Sequence, residues 1–134
     1  MLFHDSHSAH YRSPLGAVKA GDTLTIRFWC DESDTVLLRT WDGQEQLHTM
    51  AFIGKDHFEA TITVPQTPML FWYDFIIPRQ FDVARYGNNW DQLGGVGCYY
   101  ENHPVSYQVT VYDPAYTTPE YLRKNAEDGI LLEI

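Results

Sequence analysis

The chain is short of almost every pattern that announces a reaction. It contains no CxxC pair, no GxSxG, no GxGxxG and no Walker sequence. Those absences exclude a zinc ribbon, a nucleophile-elbow hydrolase and a glycine-rich cradle for nucleotide phosphates as readings from motif. Cysteine is scarce: Cys30 and Cys98 are the two in 134 residues, in the apolar contexts RFWC and GVGCYY. They read as two free, mostly buried thiols, with a single disulfide as the alternative. Cations are scarce as well. Nine Lys plus Arg face eighteen Asp plus Glu, for a net charge of −9. There is no basic stripe to neutralise phosphates, so nucleic acid is not an expected partner, and the acidity serves solubility. No apolar run approaches the roughly 20 residues that cross a bilayer, so no membrane is expected either. The start MLFHDSHSAHYR lacks a basic segment followed by a long apolar one. A signal peptide is therefore not expected and a cytoplasmic location is, although a longer parent could still be secreted.

What the chain does have is a core. It is 44% hydrophobic and 15% aromatic, well outside the disordered range and of a length that suits one domain. The dominant period is two. In DTLTIRFWC, Leu24, Ile26, Phe28 and Cys30 share one face, opposite Thr25, Arg27 and Trp29. HFEATITV turns Phe58, Ala60, Ile62 and Val64 inward, and PVSYQVTVYD does the same with Val105, Tyr107, Val109 and Val111. TVLLRTWD is a further strand closed by Asp42-Gly43, and MLFWYDFII, apolar on both faces, has the character of a central strand. QLHTMAFI and GVGCYYE are weaker strand candidates. Turn signals at Ala20-Gly21-Asp22, Asp31 to Asp34, Gly54-Lys55-Asp56 and Pro65 to Pro68 separate the runs. The expectation is an all-β, immunoglobulin-like antiparallel β-sandwich of seven or eight strands with a short C-terminal helix or tail. The sandwich takes residues 1–118. TTPEYLRKNAEDG, with Pro119 at the first helical position, begins the helix or tail of 119–134.

Candidate chemistry is thin. The serines at 6, 8, 13, 33 and 106 have no triad context, and no pair among the acids stands out as a glycosidase pair. His4, His7 and His10 recur every third residue. Their segment looks extended, so an arm whose histidines hydrogen-bond or face solvent is favoured over a metal site. The loop RYGNNWDQLGGVG, 85–97, is the irregular stretch: four glycines, two adjacent asparagines and Trp90. Glycine supplies positive φ for a tight reversal, and Asn88 and Asn89 tolerate the left-handed region. Asp82, Asn88, Asn89 and Asp91 could offer oxygens to calcium, without EF-hand spacing. No other cofactor is expected. Aromatic rings can cover the apolar faces of sugars while amides and carboxylates bond the hydroxyls. Trp72, Tyr73 and Phe75 are expected in the core. Trp29 and Trp41, opposite the aliphatic faces of their strands, and Trp90, among polar residues, are expected at a surface that meets carbohydrate or another domain, with Tyr86, Asn88 and Asn89 beside them.

Five of these pieces, in order, resemble the N-terminal β-sandwich of bacterial alpha-amylase-family glycoside hydrolases such as neopullulanases, cyclomaltodextrinases and amylopullulanases. They are HDSHSAHYRSPLGAV at 4–18, VLLRTWD at 36–42, LFWYDFII at 70–77, YGNNWDQLGGVG at 86–97 and SYQVTVYDPAYTTPEYLR at 106–123. The resemblance covers residues 3–123. It implies that the 85–97 loop lies on the face presented to a catalytic barrel, near the substrate cleft. It also implies that the barrel's three catalytic carboxylates are outside this chain, which after Arg123 reads KNAEDGILLEI. Trp90 is bulkier than the family pattern suggests at that point. Three functions follow as expectations. The first is a non-catalytic module that docks on the barrel, in cis or in a dimer, and shapes substrate access. The second is an independent module binding alpha-glucan oligosaccharides such as starch or maltodextrin. The third is an immunoglobulin-like scaffold or adhesion domain. The first predicts an exposed apolar patch around Trp29, Trp41 and Trp90.

Overall fold

The computed structural model of the chain describes residues 1–114. The expected helix or tail beginning at Thr118 lies outside the described residues. Twelve strands follow in order: β1 (Leu2–Phe3), β2 (Arg12–Ser13), β3 (Val18–Lys19), β4 (Thr23–Cys30), β5 (Leu37–Trp41), β6 (Glu45–Thr49), β7 (Ala51–Gly54), β8 (His57–Thr63), β9 (Met69–Pro78), β10 (Val83–Gly87), β11 (Cys98–Tyr100) and β12 (Tyr107–Tyr112). Eight of them run four residues or longer; β4, β5, β8, β9 and β12 coincide with the five strands expected from the sequence, whereas β10 falls in a stretch where none was expected. The short remainder pair at the margins. No helix occurs among the described residues.

Two sheets enclose the core, as expected of a sandwich. In the five-stranded sheet β4 pairs with β8 over its whole length, and β1, β2 and β7 extend it. In the seven-stranded sheet β9 is central. One of its edges takes β5, with Leu37 to Trp41 opposite Ile76 to Trp72. The other edge is shared. β12 pairs along Met69 to Tyr73, and β10 along Phe75 to Pro78. All strand pairs are antiparallel except β12 with β3, which departs from the wholly antiparallel expectation. Alternation does the folding here: Leu24, Ile26, Phe28 and Cys30 from β4 meet Phe71, Tyr73, Phe75 and Ile77 from β9, all buried.

QLHTMAFI is two strands rather than one. β6 stays in the seven-stranded sheet and β7 joins the five-stranded one. Buried Met50 marks the crossing, its N–H donating to Val36 O at 2.9 Å. Trp72 also corrects the sequence reading. With Phe71, Tyr73 and Phe75 turned inward, the pleat sends Trp72 outward, where it is only half-buried.

Candidate functional site

The irregular 85–97 loop folds onto the N-terminal arm. Asp5 and Val96 form an isolated antiparallel bridge. Ser6 N–H donates to Gly95 O at 3.1 Å, and Gly95 N–H donates to Ser6 Oγ at 2.7 Å. Gly94 and Gly95 hold φ of +76° and +85°, the left-handed conformation that glycine tolerates. At Gly97 the reason is space: a Cβ would run into Gly87 O and Tyr107 Oη. The asparagines brace the loop from within. Asn88 Oδ1 accepts Asn89 N–H and Gly94 N–H, at 2.9 and 3.1 Å. Asn89 Nδ2 donates to Gly94 O at 2.5 Å, and its Oδ1 accepts Leu93 N–H at 3.1 Å.

Beneath the loop lies His4, fully buried. Its Nδ1 is 2.7 Å from Arg27 O, a pure acceptor, so Nδ1 carries the proton and Nε2 accepts the Tyr73 hydroxyl at 2.9 Å. Burial pushes His4 down to about 3, and the nearby Arg12 charge adds to this. His4 is therefore neutral in the fold. Tyr86 Oη donates to His4 O at 3.1 Å and accepts Gly97 N–H at 3.0 Å, and Tyr107 Oη donates to Gly95 O at 2.9 Å. Burial raises all three tyrosines, so they stay neutral. Three aromatic hydroxyls and one imidazole thus lock arm, loop and core together. The expectation that the arm's histidines hydrogen-bond is met by His4. Histidine spacing alone gave no sign that His4 would be interior.

The structure separates the predicted contact residues. Tyr86 and Asn88 are buried, because on β10 the residues Ala84 and Tyr86 face the core while Val83 and Arg85 face out. Both brace the loop from within: Asn88 Oδ1 accepts Gly94 N–H and Tyr86 Oη accepts Gly97 N–H. Trp29 is on the outer face of the five-stranded sheet, paired with Phe3 and His57. Trp41 is across the sandwich on the outer face of the other sheet, so the two do not share a patch. Trp90 stands at the crest of the loop, 77% exposed, its ring 5.2 Å from Tyr100. Leu93, Val96 and Tyr99 are exposed beside it in sequence. The calcium set does not assemble. Asp82 is held by Arg79 at 2.6 Å, and it sits at the opposite end of β10 from Asn88, roughly 20 Å away along the strand. No cluster of three His, Cys, Asp or Glu side chains suited to a metal occurs among the described residues.

A groove of about 500 Å³ opens on the outer face of the seven-stranded sheet. Trp41 and Trp72 are directly opposed across the β5–β9 pair and line it, with Gln92 from the loop and His103. Its floor is built on Asp74, fully buried at the seam where β9 changes partner from β12 to β10. Arg39 Nη1 donates to one carboxylate oxygen at 3.0 Å and Arg85 Nη2 to the other at 3.1 Å, while Ser106 Oγ donates at 2.9 Å. Arg39 also lies 5.8 Å from the Trp41 ring centroid. Asp74, Arg39, Arg85 and Ser106 were not singled out as site residues from the sequence, and Trp72 was expected in the core. The signal for them was a charged residue inside an otherwise apolar central strand.

No family model matches the chain. It is 32% identical, over 133 aligned positions, to the amylopullulanase of Thermoanaerobacter thermohydrosulfuricus, covering 91% of this chain and 9% of that enzyme. The amylopullulanases of Thermoanaerobacterium thermosulfurigenes and Thermoanaerobacterium saccharolyticum match at the same identity and the same share of this chain, over 7% and 10% of their lengths. The chain thus spans a tenth or less of the curated relatives it matches. Among solved structures, a cyclomaltodextrinase aligns with a TM-score of 0.57 at 13% identity, over 84% of this chain and 19% of that one; this likeness concerns the fold. Together these matches show that the chain is similar to a short stretch of amylopullulanases and shares its fold with part of a cyclomaltodextrinase.

Proposed function

We propose that the chain is the non-catalytic N-terminal module of an alpha-glucan hydrolase, and that it docks on that enzyme's catalytic barrel through the crest of the 85–97 loop. The observation that carries this reading is Trp90, 77% exposed, followed by Leu93 at 72%. Both project from a loop whose backbone is fixed by the asparagines and the arm. An apolar crest on an ordered loop is costly in water and favours a partner surface. Amylopullulanase relatives ten times the chain's length or more supply the kind of protein in which a barrel would follow. Hydrogen exchange of residues 89–97 in the 134-residue chain and in the multidomain protein tests it. Docking predicts strong additional protection in the larger protein, lost in Trp90→Ala. Equal exchange in both would overturn it.

A second reading, in which the module itself holds starch or maltodextrin, is favoured by one specific observation. Trp41 and Trp72 lie side by side over the groove, with Arg39, Arg85, Gln92 and His103 around them. Such a pairing of ring faces and polar groups suits a sugar chain. Titration with maltoheptaose and γ-cyclodextrin, followed by tryptophan fluorescence and heat, separates the two. Binding that disappears in Trp41→Ala supports the sugar site. No heat at several millimolar leaves the groove as a surface for the neighbouring domain. The scaffold or adhesion alternative has no feature of the structure in its favour.

A further inference from the structure

The fold regroups the histidines that the sequence spaces three apart. His4 goes into the core, and His7 lies beside Gly94 and Gly95. His10 instead meets His57, 47 residues away, on the outer side of the five-stranded sheet. Their Nε2 atoms stand 3.0 Å apart, with the ring planes nearly perpendicular at 87°.

Both rings are held in place. His57 opens β8 opposite Trp29, after a turn in which Lys55 and Asp56 take φ of +49° and +59°. Its Nδ1 is 2.8 Å from Lys55 O, a pure acceptor, so Nδ1 carries the ring's proton and Nε2 keeps its lone pair. His10 is carried by the arm, whose backbone is tied down beside it. Tyr11 N–H and Arg12 N–H donate to Ser8 O at 3.0 and 2.9 Å, and Arg27 N–H donates to Tyr11 O at 2.8 Å. The Tyr11 ring packs edge-on against His10 at 4.8 Å and stacks on His57 at 5.8 Å. Between neutral rings, His10 supplies the one proton of an N–H···N bond that water can replace.

Two nitrogens bound to one ion at about 2.0–2.1 Å, at square-planar or tetrahedral angles, stand about 2.9–3.4 Å apart. The His10–His57 separation falls in that interval. The bond from His57 Nδ1–H to a backbone carbonyl is the support that ligating imidazoles commonly have. We infer that His10 and His57 form a two-imidazole site for a divalent late first-row ion such as Zn²⁺ or Cu²⁺, which straps the N-terminal arm to β8. On binding, the His10 proton passes from Nε2 to Nδ1, both Nε2 lone pairs face the ion, and water fills its remaining positions. Tyr11 Oη, 3.4 Å from His57 Nε2, is within reach of such a water. His10 is exposed, so the ion has access from solvent, and a net charge of −9 favours cations. Ca²⁺ and Mg²⁺, which take oxygen ligands, do not suit the pair. The site stands on the sheet opposite the Trp41–Trp72 groove and does not depend on which functional reading above holds.

Calorimetric titration of the 134-residue chain with ZnCl₂, CuCl₂ and CaCl₂ at neutral pH, in a non-coordinating buffer, is the test. One ion per chain is expected, Cu²⁺ more tightly than Zn²⁺, with no heat from Ca²⁺. His10→Gln and His57→Gln should each weaken Zn²⁺ binding about tenfold or more. The double variant should lose little beyond either single one, because the two rings hold one ion. His7→Gln should bind as the parent does. The imidazole ¹⁵N signals of His10 and His57 should shift together with Zn²⁺, while those of His48 and His103 stay. Zn²⁺ should raise the thermal midpoint of the parent and leave that of His57→Gln unchanged. Without metal, both single variants should unfold close to the parent, which separates lost binding from lost folding. Unchanged Zn²⁺ affinity in either single variant would overturn the site. So would independent losses that add in the double variant, or a Ca²⁺ response equal to that of Zn²⁺.

Discussion

His4 shows how much one buried side chain can set the conditions under which the fold persists. It is neutral in the native protein with its affinity for protons pushed down to about 3, against 6.5 for an ordinary histidine. Below pH 6.5 the unfolded chain takes up a proton that the native state refuses. Stability is therefore complete above that pH and is lost as pH falls toward 3. The slope is about 1.4 kcal/mol per pH unit, so stability should drop by about 2 kcal/mol between pH 7 and 5. His48, lowered by burial, pulls in the same direction. Urea unfolding at a series of pH values checks this. His4→Asn should be less stable at pH 7 and show a flatter dependence between 6.5 and 5. Asp74 sets a different kind of condition. Asp74→Ala leaves Arg39 and Arg85 facing one another without their shared carboxylate, and should cost about 3–5 kcal/mol. Asp74→Asn, which keeps a hydrogen-bonding oxygen for Ser106, should cost less in the same denaturation assay.

At the scale of elements, β4 and β8 are legible in the sequence because each alternates cleanly, with one face aliphatic and the other polar or charged. β9 is not, and the reason is physical. Its outward face carries Leu70, Trp72 and Ile76 around a sealed Asp74, so both faces look interior, and nothing in the sequence alone reveals which parity meets the core. The groove around Trp41 and Trp72 was hidden for the same reason. The 85–97 loop was half legible. Its glycines announce unusual backbone, and Trp90 stands where exposure was expected. That Tyr86 would turn inward depends on His4, 82 residues away on the arm, and the burial of Asn88 on Gly94, Tyr100 and Val105, which local pattern does not carry. Close approach makes a sharp prediction here. Gly97→Ala forces a Cβ against Gly87 O and the Tyr107 hydroxyl, and should destabilise the protein by about 1–3 kcal/mol through overpacking. Amide exchange at Ser6 and Gly95 should accelerate with it, because those N–H groups carry hydrogen bonds that the loop and the arm share.

For the whole molecule, the two outer faces of the sandwich differ in what they offer. The seven-stranded sheet presents a groove with two tryptophans and a built-in charge cluster, and the loop crest borders the same end of the molecule through Gln92. If the crest docks, Trp90→Ala should weaken association with the barrel by about tenfold or more, read by calorimetry or by exchange, while leaving the thermal midpoint of the 134-residue chain within a degree or two. The N-terminal arm has a consequence for how the molecule comes into being. Residues 4–6 take their places only against Arg27, Tyr73, Tyr86, Gly95 and Tyr107. On a translating ribosome they emerge long before the last of those partners has been made. The opening segment must therefore wait, unseated, through the synthesis of most of the sandwich, and closing it is a late, long-range step in folding.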